Sequence, residues 1–85
     1  MPGVKERVAL VTGGGRGIGR ASAELLASRG ARVMCSARTE QELAETGLAY
    51  SVADLGTSEG CAQAVAETEQ RLGPIDILVC NHGIG

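Results

Sequence analysis

The chain has 85 residues and a formal net charge of -2, which allows one small domain and argues against a general nucleic-acid binder. Hydrophobic residues make up 44% of it, with one Tyr and no Phe or Trp, so the expected core is aliphatic and packed with alanine and glycine. No apolar run approaches the roughly 20 residues of a membrane-spanning helix, and the opening Met1-Pro2-Gly3-Val4-Lys5-Glu6-Arg7 lacks the apolar segment of a secretory signal.

In chain order, Arg7 to Val11 reads as the first strand. Val8, Ala9, Leu10 and Val11 are continuously apolar, as in a parallel strand covered on both faces. Thr12 and a glycine-dense turn follow. From Gly17 the period changes to that of a helix, with an apolar stripe of Ile18, Ala21, Ser22, Leu25 and Leu26 and a stop at Gly30. Ala31 to Ser36 is the second buried strand. Thr39-Glu40-Gln41-Glu42 has the form of a capping box, opening a short helix from Glu40 to Thr46 that ends at Gly47. Leu48 to Ala53 is the third strand, closing at Asp54. Thr57 and Ser58 cap a third helix whose stripe is Cys61, Val65, Thr68 and Leu72, and Gly73-Pro74 stops it. Ile75 to Cys80 is the fourth strand, and Asn81-His82-Gly83 is the turn after it.

Strands and helices thus alternate, which predicts a parallel sheet with right-handed crossovers. The expected fold is α/β, a Rossmann-type sheet in the order 3-2-1-4 with flanking helices, an incomplete doubly wound domain over residues 1–85. Its switch point falls between the first and fourth strands, where ligands bind at the carboxyl ends. Thr12–Gly19 and Cys80–Gly83 would meet there.

The glycine turn carries the chemistry. A strand feeding a glycine loop at a helix N-terminus is a phosphate cradle: glycine lets the backbone bend and a ligand approach, and the free N–H groups attract an anion. The strict G-x-G-x-x-G fingerprint is absent in every register. A Walker A loop is absent too, since the sole lysine is Lys5. What stands is Thr12-Gly13-x-x-x-Gly17-x-Gly19. It resembles the signature of classical short-chain dehydrogenases/reductases, and three further motifs agree in order. The resemblance implies that the loop residues Thr12, Gly13, Gly15, Arg16, Gly17, Ile18 and Gly19 bind a dinucleotide. It implies that Asp54, followed by Leu55, contacts adenine. Cys80-Asn81-His82-Gly83 stands where the family has Asn-Asn-Ala-Gly, so Asn81 and Gly83 carry over as sheet- and ribose-supporting residues, while Cys80 and His82 depart from the pattern.

The cofactor form follows from the end of the second strand. An NAD-type site places an acid about 20 residues beyond the glycines, on the ribose 2′-hydroxyl. Here Ser36-Ala37-Arg38-Thr39 holds none before Glu40. Arg38 at the strand end and Arg16 in the loop suit a 2′-phosphate instead, gripped in fork geometry. NADP is therefore expected in preference to NAD.

The family's catalytic Ser, Tyr and Lys are not found. Tyr50 is followed four places later by Asp54. The chain is expected to be the N-terminal cofactor-binding part of an alcohol/carbonyl oxidoreductase, with no catalytic residue of its own. The alternatives are a non-catalytic NADP-binding module and a truncated product without activity. Cys35, Cys61 and Cys80 are odd in number, widely spaced and without a C-x-x-C pair, as in reduced cysteines of a cytoplasmic protein. Cys80 with His82 gives too few ligands for a metal. The expected partner is a small dinucleotide, with neither nucleic acid nor membrane, and the full-length protein is expected to be a homo-oligomer. Ile75–Val79 would be an apolar sheet edge, so the isolated chain is expected to be marginally stable or to associate.

Overall fold

A computed structural model describes residues 3–15 and 17–81. The elements run β1 (Val8–Thr12), α1 (Gly17–Ser28), β2 (Arg32–Ala37), α2 (Glu40–Ala44), β3 (Ala49–Val52), α3 (Ser58–Arg71) and β4 (Ile77–Cys80). The four strands form one parallel sheet in the order β3-β2-β1-β4, as the alternation predicts. Register follows from the pairs Leu10 with Met34, Leu10 with Leu78, and Cys35 with Tyr50.

The continuous apolar character of β1 and β2 has a two-sided cause. Ala9, Val11, Val33 and Cys35 face α1 and α2, packing with Ala23, Leu26 and Leu43. Leu10 and Met34 face the other way, onto Ala53, Leu55 and Ala64 on the α3 side. Every second residue therefore enters a different core, and neither face can be polar.

Three local endings match the residues that make them. Gly30 adopts φ +91, its N–H bonds Ala27, and Ala31 N–H reaches back to Leu26. This crossed pair is the glycine-dependent stop that satisfies the last carbonyls of α1. Thr57 Oγ1 accepts from Gly60 N at 2.9 Å and caps α3. Asp76 starts β4 later than expected: its Oδ2 accepts from Val8 N at 3.0 Å, and its own N–H bonds Val8 O at 2.9 Å. That side chain substitutes for a ladder partner, so regular pairing begins at Ile77.

Three expectations are corrected. The Thr39 side chain makes no capping bond, although α2 begins where expected. Its backbone carbonyl accepts from Leu43 N instead. The inner face of α1 is Gly19, Ala23 and Leu26, whereas Ile18 is 78% and Leu25 48% exposed. The inner face of α3 is Gly60, Ala64 and Thr68, whereas Val65 is exposed. Both corrections of face have one reason. The helices press their smallest residues onto the loops and strands, and close approach outweighs the burial of a larger side chain.

β4 closes one edge of the described sheet. Leu78, paired with the buried Leu10, stays 56% exposed. No described helix covers that end of the α3-side face, which leaves an adhesive strip. In the isolated 85-residue chain, Leu78→Lys is expected to lower the apparent mass in sedimentation velocity. The change in stability should stay within about 0.5 kcal/mol, as for other exposed sites. An unchanged mass distribution would count against association through this edge.

Candidate functional site

The carboxyl ends of β1 and β4 are tied together by Thr12. Its hydroxyl donates to Val79 O at 3.2 Å and accepts from Asn81 N at 3.1 Å. Asn81 N–H also lies 3.2 Å from Thr12 O. A threonine at the end of an apolar strand thus fixes where the chain leaves β4. Asn81 Nδ2 is buried and has no hydrogen-bond partner among the described residues. An orphaned donor beside the glycine loop leaves a place for an acceptor.

Gly13 opens the loop. Its N–H donates to Ser36 O at 2.7 Å, binding the turn to β2, and its φ of +68 is the left-handed bend that glycine permits. Gly14 then lies on β2: a Cβ there would meet Cys35 Cβ at 2.9 Å. Gly15 lies on α2, where a Cβ would come 3.1 Å from Glu42 Cβ and 3.5 Å from Glu42 Oε1. Gly19 closes the cradle, because a Cβ on it would overlap the Gly13 carbonyl. Gly17, in contrast, faces open space at φ +62. The loop is consequently pressed against the protein on one side and open on the other.

α1 springs from this loop with no acidic residue in its first turn. No acid within that turn opposes the positive end of the dipole, although Glu42 of α2 packs against Gly15 beside it. Ile18 projects into solvent at the same end. A cradle of this shape, lined by backbone, can take an anion such as the diphosphate of a dinucleotide.

The parallel sheet carries the other expected residues to the same edge. Thr12 pairs with Ser36, and Arg38 follows two residues after Ser36, exposed. Asp54 follows β3, also exposed, and its Oδ1 accepts from Gly56 N at 3.0 Å. The carboxylate therefore has a turn-forming task. Leu55 is buried in the α3-side core, packed with Leu10 and Met34. Arg16, His82 and Gly83 lie outside the described residues.

Two side chains with chemical potential are engaged elsewhere. Burial pushes the Cys35 thiol above its ordinary range, and the Glu24 charge adds to this, while a hydrogen bond with Thr46 pulls the other way. Cys35 is thus a packing group beneath Gly14, and its raised value keeps it from being a ready nucleophile. A hydrogen bond to Glu40, followed by that carboxylate's charge, pushes Tyr50 above its usual value. A tyrosine poised as an acid/base needs the opposite shift. The cysteines are free, and no cluster of three potential metal ligands occurs among the described residues. No described helix is long and apolar enough to cross a membrane.

Two contributors were missed by sequence reasoning. Glu42 reads as a capping-box acid, but the structure places it against Gly15. Asp76 reads simply as a member of the fourth strand, yet it anchors β1 and lies 3.6 Å from the Arg7 guanidinium. Its signal was an acid within an otherwise apolar run.

Comparison with known proteins agrees with this geometry. The family model described as short chain dehydrogenase matches residues 7–85. An acetoacetyl-CoA reductase of Shinella zoogloeoides is 45% identical over 83 residues, covering 92% of this chain and 34% of that protein. The 3-oxoacyl-(acyl-carrier-protein) reductase FabG of Vibrio harveyi is 44% identical over 87 residues, with the same coverage of 92% and 34%. Among solved structures, apo glucose dehydrogenase of Caenorhabditis elegans superposes with a TM-score of 0.88 at 35% identity, covering 98% of this chain and 40% of that one. The chain spans about a third of the length of the curated relatives it matches. With its glycine signature, its sheet order and a family match over nearly its whole length, the chain belongs to the short-chain dehydrogenase/reductase family of oxidoreductases.

Proposed function

We propose that residues 1–85 form the N-terminal part of a dinucleotide-binding domain that holds NADP(H) in an alcohol/carbonyl oxidoreductase. The observation that carries this reading is the approach of Gly19 to Gly13, which folds the loop into a backbone cradle at the start of α1. In this reading Thr12 and Asn81 hold the loop against β4. Gly13, Gly15, Gly17 and Gly19 let the backbone N–H groups face the diphosphate. Ile18, exposed at the cradle's mouth, offers an apolar surface toward the nicotinamide half. Asp54 accepts from the adenine amine with the oxygen that Gly56 leaves open, and Leu55 backs that turn from the core. Gly83 supports the ribose. Arg16 and Arg38 bind the 2′-phosphate, since no acid stands at the end of β2.

The bound nicotinamide supplies or accepts the hydride. The residues of this chain bind and orient it. No Tyr-x-x-x-Lys occurs within residues 1–85, and Tyr50 is turned to Glu40. The acid/base step of this reading accordingly lies with residues elsewhere in the protein. The names of the relatives, reductases of acetoacetyl-CoA and of 3-oxoacyl groups on a carrier protein, support carbonyl reduction. Free cysteines support a cytoplasmic, reducing setting.

Titration of the protein with NADP+ and NAD+ by calorimetry tests the reading. Saturable binding of both, with NADP+ at least about tenfold tighter, is the expected result for a site that grips the 2′-phosphate. Equal affinity would remove the NADP assignment, and binding of neither would remove the site.

A further inference from the structure

Asp54 stands exposed between two anchored neighbours. Ala53 and Leu55 are buried in the α3-side core, and Ala53 N–H donates to Ala37 O at 2.9 Å. The Asp54 carbonyl is fixed by Thr57. The Thr57 hydroxyl donates to it at 3.0 Å, and the Thr57 N–H lies 3.2 Å from it. The same hydroxyl accepts from Gly60 N at 2.9 Å. Gly60 in turn presses on that carbonyl, since an added Cβ would overlap it. One hydroxyl thus fastens the Asp54–Thr57 turn to the first turn of α3. Capping α3 needs only the acceptor half of this arrangement. The donor half acts on Asp54.

The closed turn orients the carboxylate as well. Gly56 N–H donates to Asp54 Oδ1 at 3.0 Å, and a Cβ on Gly56 would come 3.2 Å from that oxygen. Oδ2 is bonded to no described residue. We infer that Thr57 is a positioning residue: by closing the turn it aims Asp54 Oδ2 as a fixed acceptor, and so lets the site select a base that carries an exocyclic amine over one with a carbonyl in its place. The inference rests on the reading that Asp54 meets the adenine of a bound dinucleotide. A carboxylate held in one orientation accepts from an amine and repels a carbonyl oxygen. A carboxylate free to turn swings away from the wrong base and discriminates less.

The test compares wild type, Thr57→Ser, Thr57→Val, Thr57→Asn and Asp54→Ala in the intact protein. Each is titrated with whichever of NAD+ and NADP+ wild type binds more tightly, and with its analogue in which hypoxanthine replaces adenine. The readout is the ratio of the two affinities. Thr57→Val removes both hydroxyl bonds. Thr57→Asn keeps an acceptor for the cap and so preserves α3, but lacks the hydroxyl that holds Asp54 O. Both are expected to lower the adenine preference about fivefold, the scale of one hydrogen bond, with the loss falling on the adenine form. Thr57→Ser should keep the ratio within about twofold, because it restores the hydroxyl. Asp54→Ala should bring the ratio close to one. An unchanged ratio in Thr57→Asn, with a lowered one in Asp54→Ala, overturns the inference alone. So does equal weakening of both forms in Thr57→Val and Thr57→Asn, which would leave Thr57 a helix cap and no more. An unchanged ratio in Asp54→Ala removes the adenine reading and, with it, this inference.

Discussion

Replacing Gly19 with alanine is expected to destabilise the fold by at least about 3 kcal/mol, the range of a buried steric conflict that the backbone cannot relieve. The added Cβ would overlap the Gly13 carbonyl oxygen, with the carbonyl carbon at 2.8 Å and Gly14 Cα at 3.4 Å. All of these are backbone atoms. None can rotate aside as the end of a flexible side chain would. Gly13 is itself held by its bond to Ser36 O at 2.7 Å, and Gly14 lies against Cys35, so the loop has no room to retreat. Either α1 lifts from the sheet or the cradle opens. The urea midpoint should fall sharply, and dinucleotide binding should be lost even where folded protein remains. Gly17→Ala is the internal comparison. Nothing lies within 4 Å of its added Cβ, and the cost is confined to φ +62, about 1 to 2 kcal/mol for a residue with a side chain. Similar losses in the two variants would show that conformation, and not the Gly19–Gly13 approach, makes the loop glycine-dependent.

The second large effect is expected from Arg16→Ala combined with Arg38→Ala. Each charge-assisted bond to a phosphate contributes about 1.5 to 3 kcal/mol, so losing both should weaken NADP+ binding by at least roughly a hundredfold. NAD+ lacks that phosphate and should lose less than about threefold, the residue of a weaker surface field. Arg38 is exposed, and its replacement leaves the core intact. Thermal midpoints close to wild type would accompany the loss, which separates a binding defect from unfolding. Equal weakening of NADP+ and NAD+ would remove the assignment of these arginines to the 2′-phosphate.

Much of the fold was legible in the residue pattern because its signals are strong and local. The apolar runs of β1 and β2 are continuous, since a parallel strand between two helical layers has no wet face. Gly30 and Thr57 end and begin helices by bonds made within a few residues. The loop was legible by spacing, since Gly13, Gly17 and Gly19 answer to backbone demands that chain order alone expresses.

The faces of α1 and α3 were not legible. A periodicity argument weighs large apolar residues, and it selected Ile18 and Leu25 over Gly19 and Ala23. What decides the inner face is how closely two backbones approach, and that is set by the smallest residue present. Gly60 shows the same effect in α3, where an added Cβ would overlap the Asp54 carbonyl. The Thr39 cap failed for a related reason. Its four-residue signature is correct, but the buried Leu43 and the packed Glu42 set the orientation of α2 through tertiary contacts.

By itself, then, the sequence determined the alternation of elements, the parallel sheet order and the family spacing of the glycines in Thr12–Gly19. These depend on hydrophobic period and on glycine positions, which are properties of neighbours in the chain. Only the tertiary structure decided which helix faces lie inward, that Asp76 anchors β1 through Val8 N, and that Glu42 rests on Gly15. Those contacts join residues far apart in sequence, and their geometry is set by the packing of α1, α2 and β4 around β1, which no local pattern encodes.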